Sequence, residues 1–396
     1  MYNNYMKLLL KEQNMVQKKP LKDILIIDLT RILAGPYATM LLSDLGARII
    51  KIEPPGGDDS RNFGPMINGD SIYFSSLNRG KESIVLNLKN KLDRKIFENL
   101  LVKADVLIEN FRPGTMKKLG YGWEMLSKKY PQLIYAACSG FGQTGPWSKK
   151  PAYDMIVQGM GGLMSLTGHK NQEPARVGTS IGDITAGIFT VIGIQTAIID
   201  RYRIKKGQMV DISMLDCQIA ILENAVSSYF ATGKIPGKSG SRHPSIAPFE
   251  CYKSKDGYIL IAAGNDDLFI KLCQALKRED LLMNKMFNNN MKRLKNVELL
   301  KSKLEKTLTK ATTYELINII EGAGVPVGPL NDIENAVKNP QIIARNMIVN
   351  ANENKSKPIK VTGNPIKLSM YKDENNRGST PDLDQDREKI IKEFCD

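Results

Sequence analysis

Histidine and tryptophan are nearly missing from this chain, two of each among 396 residues. With only His169 and His243, and no Cys-x-x-Cys or His-x-x-x-His spacing, a zinc site or a His-centred triad has little to be built from, and no metal is expected. The five cysteines, Cys138, Cys217, Cys251, Cys273 and Cys395, are odd in number, widely spaced and mostly set in apolar segments. That argues against a disulfide framework and for a reducing, cytoplasmic setting. No Gly-x-x-x-x-Gly-Lys-Ser/Thr occurs, which removes P-loop ATP chemistry.

Long hydrophobic runs are lacking too. The longest apolar stretch, Ile184 to Ile199, is interrupted by Thr185, Gly187, Thr190, Gly193 and Gln195 and falls short of the ~20 residues a membrane-spanning helix needs. Residues 1–20 hold only the Leu8 to Leu10 run between lysines, with no small-residue cleavage site, and read as a mobile tail rather than a secretory signal. No membrane association is expected. The formal charge is +14, yet the lysines never run beyond pairs such as Lys117-Lys118, Lys128-Lys129, Lys149-Lys150 and Lys205-Lys206. Nucleic-acid binding therefore lacks its basic tract, and the surplus suits a small anionic ligand such as a phosphorylated cofactor.

What is present is an ordinary globular composition, 42% hydrophobic and 25% charged, in a chain too long for one lobe. From Leu21 the pattern alternates strand and helix, which predicts an α/β fold with helices on both faces of a largely parallel sheet. Strands are expected at Asp23 to Leu29, Arg48 to Glu53, Ser83 to Leu88, Asp105 to Glu109, Leu133 to Cys138 and Met209 to Ser213. Two helices, about Tyr153 to Leu166 and Ile184 to Tyr202, are apolar nearly all round, which predicts burial at a lobe's centre or in a subunit interface. A further helix is expected over Asp216 to Phe230. A Gly-, Ser- and Pro-rich linker over 233–248 closes a first lobe at 21–232 and opens a smaller α+β lobe over 249–328, with a hairpin turning at Lys255-Asp256-Gly257. Residues 329–396 return to the first lobe through short apolar strands at Met347 to Val349, Pro358 to Val361 and Pro365 to Leu368.

Three segments carry chemistry. Gly140-Phe141-Gly142-Gln143-Thr144-Gly145 matches Gly-x-Gly-x-x-Gly after a strand, but Pro146, Trp147 and Pro151 follow where a dinucleotide fold needs a helix, so NAD and FAD are not expected. Glu109 to Gly114 turns from a strand into a short helix carrying Lys117 and Lys118, either a solvated turn or a phosphate perch at a sheet's carboxyl edge. Asp183, ahead of the second apolar helix, is by position a helix N-cap; a carboxylate there is also held ionised and is a usable nucleophile toward activated acyl groups.

These segments together resemble the class III coenzyme A transferase family of CaiB/BaiF type, over nearly the whole chain from Leu21 to about Leu368. The carriers are Leu29 to Pro36, Ile50-Lys51-Ile52-Glu53 with Gly57-Asp58 and Arg61, Asn78-Arg79-Gly80-Lys81, Glu109 to Gly114, Ser139 to Pro146 and Gly182 to Gly187. The resemblance implies a large Rossmann-like, CoA-binding domain, a small domain, and an interlaced, ring-like homodimer. It makes Asp183 the nucleophile, and the reaction a transfer of coenzyme A from an acyl-CoA to a carboxylic acid through aspartyl-acyl anhydride and aspartyl-CoA intermediates. Coenzyme A is then a co-substrate, with no metal, NAD, FAD or ATP.

Carried over residue by residue, coenzyme A contacts fall on Leu33 and Ala34, Leu86 to Lys89, Asn110, Phe111 and Arg112, Lys118, and the turn beginning Ser139-Gly140. A basic residue that some members place after the Lys-Ile-Glu strand is Pro54 here, and a lysine at the Ser139 position is missing, which leaves Lys89, Arg112 and Lys118 for the phosphates. The racemase branch of the family, the alternative activity, places a His where Tyr153 stands, and a neutral Tyr is a poor base. The glycine-rich loop of formyl-CoA transferases is replaced by Arg242 to Pro248, which disfavours oxalate and formate. The second-lobe segments look most like succinyl-CoA-dependent transferases acting on glutarate-type dicarboxylates. For such an acid Arg176 and Arg242 are candidate clamps on the distal carboxylate, with Tyr153 a further substrate contact.

Overall fold

The computed structural model describes residues 19–352 and 358–396, so the tail expected over residues 1–20 lies outside them except for Lys19 and Pro20. Two units form. The first gathers the chain up to Leu163, Arg176–Ser227 and Pro340–Asp396; the second gathers Met164–Ala175 and Ser228–Asn339.

In the first unit six strands form one sheet: β1 (Leu25–Asp28), β2 (Arg48–Glu53), β3 (Glu82–Val85), β4 (Val106–Glu109), β5 (Ile134–Ser139) and β6 (Met209–Ser213). Their order is β3-β2-β1-β4-β5-β6, and every neighbouring pair is parallel. In this doubly wound order the connections reverse between β1 and β4, opening a crevice at the carboxyl ends of the strands. The side-chain period of two sorts each strand between two cores. Ile27, Ile50 and Leu107 pack with Phe97, Leu100, Leu126 and Ile390 on one face. Ile26, Ile49 and Ile108 pack with Ala38, Leu42, Ile194 and Ile198 on the other. The helices Lys91–Lys103, Trp123–Lys129 and Arg387–Cys395 cover the first face, and Ala34–Asp44 and Ile181–Ile204 the second. The returning C-terminal segment docks on β3, where the Ser83 amide donates to Asp386 and Arg387 donates to the Val85 carbonyl.

Several elements differ from the sequence expectation, each for a local reason. The apolar segment 153–166 is two short helices, Asp154–Met160 and Leu163–Leu166, interrupted by Gly161 and Gly162, the latter at φ +85°, and Met155, Ile156 and Met160 are exposed. The expected 216–230 helix breaks at Glu223, which takes φ +49°, into Met214–Ala220 and Asn224–Thr232. Residues 365–368 are not a strand, since Pro365 lacks an amide to donate and Ile366 and Leu368 are exposed. The second apolar helix runs 24 residues, Ile181–Ile204, long and apolar enough by length to cross a bilayer, so the length argument made from the sequence fails. Its packing supplies the better one: Val191, Ile194, Ala197 and Ile198 are seated in the sheet core.

The second unit has a three-stranded antiparallel sheet of β7 (Phe249–Lys253), β8 (Tyr258–Ala262) and β9 (Val327–Pro329), with β8 central. Helices Asp266–Ala275, Val297–Leu308 and Thr313–Gly322 share its core, the last begun by a Thr312/Glu315 capping box.

Candidate active site

The crevice is organised by charges that the strands bury. Lys51, fully buried on β2, pairs with Asp58 at 2.9 Å and donates to the Thr30 carbonyl at 2.7 Å. Asp58 is held down to about 2: the Lys51 charge and hydrogen bonds from Lys51 and Ser60 overcome its burial. Its carboxylate also accepts the Ile32 amide at 3.2 Å. Ile32 stands at φ +68°, a left-handed conformation that a β-branched residue rarely adopts. Asn110 secures the neighbouring peptide from the other side, accepting the Arg31 amide at 2.9 Å and donating to the Arg31 carbonyl at 2.8 Å. The strained elbow delivers the chain into the helix Ala34–Asp44, whose N-cap Leu33 makes no side-chain bond, so no side chain caps the first-turn amides among the described residues.

The long helix Ile181–Ile204 brings Asp183 to this point through one glycine. A Cβ on Gly187 would lie 2.8 Å from the Ala34 carbonyl oxygen and 2.9 Å from Tyr37, so only glycine permits the approach of the two helices. Asp183 stands four residues earlier and hence on the same helix face, directly over the start of Ala34–Asp44.

Asp183 is not the N-cap that the sequence suggested, because the helix begins at Ile181 and places it inside the first turn, while Ser180 offers no capping bond. The capping partner comes from outside: Asp154 accepts the Gly182 amide at 2.8 Å and is itself held by Gln158 at 2.8 Å. Released from capping, the half-buried Asp183 carboxylate accepts no hydrogen bond among the described residues. Burial, with the nearby Asp154 charge, pushes its pKa up to about 7. The Tyr73 hydroxyl is raised to about 12 by burial and by the charges of Asp183, Asp58 and Asp154, which places it in the same neighbourhood.

Asp183 opens into a cavity of about 150 Å³ whose walls include Leu33, Ala34, Asn110, Phe111, Arg112, Ser139, Gly140 and Tyr153. A second cavity of about 260 Å³ lies over the ends of β1, β2 and β3, walled by Leu86, Lys89 and Phe111 among others. Arg31 and Phe111 line both, so the two cavities adjoin along the carboxyl edge.

The structure thus gathers most residues expected from the sequence around these adjoining cavities. Lys118 is exposed on the short helix Thr115–Lys118 and lines neither cavity. Arg176 is exposed, donating to the Val177 carbonyl, and is absent from the walls. Arg242 belongs to the second unit, where its guanidinium is paired with Glu250 at 3.2 Å and Glu298 at 2.8 Å. The Asn78 to Lys81 motif is structural: Arg79 pairs with Asp44, and Lys81, brought down to about 8 chiefly by burial, sits against Asp28 and Asn78. Glu53, Arg61 and Ser83 complete this buried ionic floor. Sequence reasoning missed Asp154 as the helix cap, Tyr73, and Lys150 on the cavity wall. A Tyr-Asp pair ahead of a helix was a visible signal for Asp154; nothing local marked the other two.

The family model for CoA-transferase family III matches residues 21–387. An acetyl-CoA:oxalate CoA-transferase of Acetobacter aceti is 48% identical over 380 residues, 96% of each chain. The human succinyl-CoA:glutarate CoA-transferase is 36% identical, covering 96% of this chain and 87% of that protein. A crystal structure of a CAIB/BAIF family protein from Brucella suis superposes with TM-score 0.85 at 37% identity, over 95% of this chain and all of that one. The first of these relatives removes the argument against oxalate made from the missing glycine-rich loop. A parallel sheet with a carboxylate poised at the edge of its groove, matched in sequence and fold along nearly its whole length, makes this chain a member of CoA-transferase family III.

Proposed function

We propose that Asp183 is the acyl-accepting group in a transfer of coenzyme A from an acyl-CoA to a short dicarboxylate. The ionised carboxylate attacks the thioester carbonyl, and cleavage of the carbon–sulfur bond leaves an aspartyl-acyl anhydride and CoA thiolate. The thiolate attacks the aspartyl carbonyl, releasing the donor acid and forming an aspartyl-CoA thioester. The acceptor carboxylate attacks that thioester, giving a second anhydride and free thiolate. Thiolate attack on the acceptor's acyl carbon yields the new acyl-CoA and regenerates Asp183, with no net proton exchanged.

The observation that carries this reading is an unbonded carboxylate, raised to about 7, at the inner end of a groove. A carboxylate relieved of donors is a stronger nucleophile than a capped one, and burial keeps water from hydrolysable intermediates. The side-chain-uncapped start of Ala34–Asp44 supports a role for its amides in stabilising the tetrahedral oxygens. We assign the nucleotide end of coenzyme A to the cavity of about 260 Å³ lined by Lys89, with the pantetheine running past Arg31 and Phe111, which line both cavities. The two named relatives act on oxalate and glutarate, both dicarboxylates, which supports that acceptor class.

An interlaced homodimer is part of the proposal, supported by the exposed stripe Ile188, Ile192, Ile199 and Tyr202 on the long helix. Five free cysteines, three of them buried, suit a reducing cytoplasm. The test is incubation with acetyl-CoA or succinyl-CoA and either oxalate or glutarate, with mass analysis of the peptide carrying Asp183. A CoA adduct on that peptide, lost with product formation in Asp183→Asn, is expected; product formation by Asp183→Asn at the wild-type rate would sink the mechanism.

A further inference from the structure

The cavity around Asp183 carries more positive charge than the thioester chemistry requires. Its walls hold Arg31, Arg112 and Lys150 against the single carboxylate of Asp183. Arg31 is engaged, with its guanidinium 3.3 Å from Asp59. Arg112 lies on the turn after β4, next to the groove assigned to coenzyme A. Lys150 remains, with no acidic partner among the described residues, and its ammonium is centred 4.5 Å over the Trp147 ring. A cation–π contact fixes the position of a charge without neutralising it. Trp147 is braced in turn by an edge-on contact with Phe141 at 5.9 Å.

The Gly140 to Gly145 turn explains how this segment reaches the cavity. A Cβ on Gly140 would stand 2.4 Å from the Ala152 Cβ, so glycine at the end of β5 lets Pro151 and Ala152 close over it. Lys150 therefore reaches the Asp183 cavity from the loop that follows β5. It forms no ion pair with Asp183, whose carboxyl shows no relief from any cation. The two charges face one cavity and stand apart.

We infer that Lys150 binds the distal carboxylate of the dicarboxylic acyl group while its proximal carbon reacts at Asp183. This rests on the CoA-transfer reading above and assigns to Lys150 the specificity role first given to Arg176 and Arg242. A charged hydrogen bond of this kind is worth roughly 10- to 100-fold in kcat/KM.

The test compares Lys150→Gln and Lys150→Arg with the wild type, using glutarate and its monomethyl ester as acceptors at fixed acyl-CoA. Lys150→Gln is expected to lose roughly 10- to 100-fold on glutarate, mainly through KM, and less than about twofold on the ester, while Lys150→Arg recovers most of the glutarate activity. Equal losses on both acceptors, or none, overturn the assignment of Lys150 and leave CoA transfer standing. Wild-type transfer to the ester alone does the same, whereas no transfer to either acceptor from any donor overturns both readings.

Discussion

Replacing Asp183 by asparagine is expected to make the ligand-free protein more stable, and to do so only above acid pH. The carboxyl moves from an ordinary 3.8 to about 7 on folding, so between these values the folded protein holds a proton that the unfolded chain has lost. Stability then falls as pH rises through that window, because the unfolded state binds fewer protons than the native one. A shift of about three units corresponds to about 4 kcal/mol at 1.36 kcal/mol per unit, an upper bound for a carboxylate open to a cavity; about 2–4 kcal/mol is the working range. Asparagine has nearly the same shape and never ionises. The difference in Tm between Asp183→Asn and wild type should be near zero at pH 4 and reach a plateau above pH 7, roughly 4–8 °C at about 2 °C per kcal/mol. Glu109, likewise raised to about 7 by burial, titrates in both proteins and cancels in the difference. Thermal unfolding followed across pH 4–8.5 measures it. A gap of constant size, or one that closes as pH rises, would refute the reasoning. The same ionisation should set the acid limb of kcat/KM near pH 7 in the free enzyme.

Asp154→Asn keeps an oxygen to accept the Gly182 amide but turns its amide nitrogen toward the buried Gln158 amide and removes the like charge beside Asp183, so the acid limb of kcat/KM should move to lower pH with about 1–3 kcal/mol lost in stability; an unmoved limb in the pH–rate profile counts against that coupling. Gly187→Ala forces a methyl against the Ala34 carbonyl, costs about 1–3 kcal/mol and should lower kcat by displacing the Asp183 turn, both visible by thermal unfolding and steady-state kinetics. Wild-type kcat in that variant would show that the helix contact does not position Asp183.

The parallel sheet was readable because Ile27/Ile26, Ile50/Ile49 and Leu107/Ile108 are apolar on both faces, a pattern that only a sheet covered on both sides produces. Of the candidate site, Leu33, Asn110 and Ser139 lie at or after strand ends, which converge by topology on one cavity, while Asp183, in the first turn of a helix, is named as nucleophile only through the family resemblance. What escaped was set by partners far along the chain. The cap on the long helix is 28 residues away at Asp154, and no local pattern shows that Ser180 leaves the amides open to it. Arg242 read as a free cation because Glu298 is distant in sequence. Lys150 read as one of several solvated lysine pairs, and only the loop folding over Gly140 brings it to a cavity. The 153–166 segment differs for a local reason: Gly161 and Gly162 break the helix, and with Met155, Ile156 and Met160 exposed in the single chain, a subunit interface is the one of its two expected settings that stays open.

The groove uses charge in two opposed ways, and the contrast accounts for where the family motifs fall. Under its outer half, Lys51, Asp58, Glu53, Arg61, Lys81 and Asp28 are buried but mutually paired, so removing one partner would strand a charge at about 3–5 kcal/mol. That floor holds Ile32 in an unfavourable backbone conformation and fixes the first-turn amides of the next helix. At the inner end Asp183 has no donor or cation partner among the described residues, and its ionisation costs stability. A carboxylate stabilised like Asp58, at about 2, would attack a thioester poorly; on the proposed mechanism one placed like Asp183 would be relieved of an unfavourable charge on taking the acyl group. On the proposed mechanism, rigid paired charges beneath the groove and one unpaired acid at its inner end are therefore complementary parts of the same site.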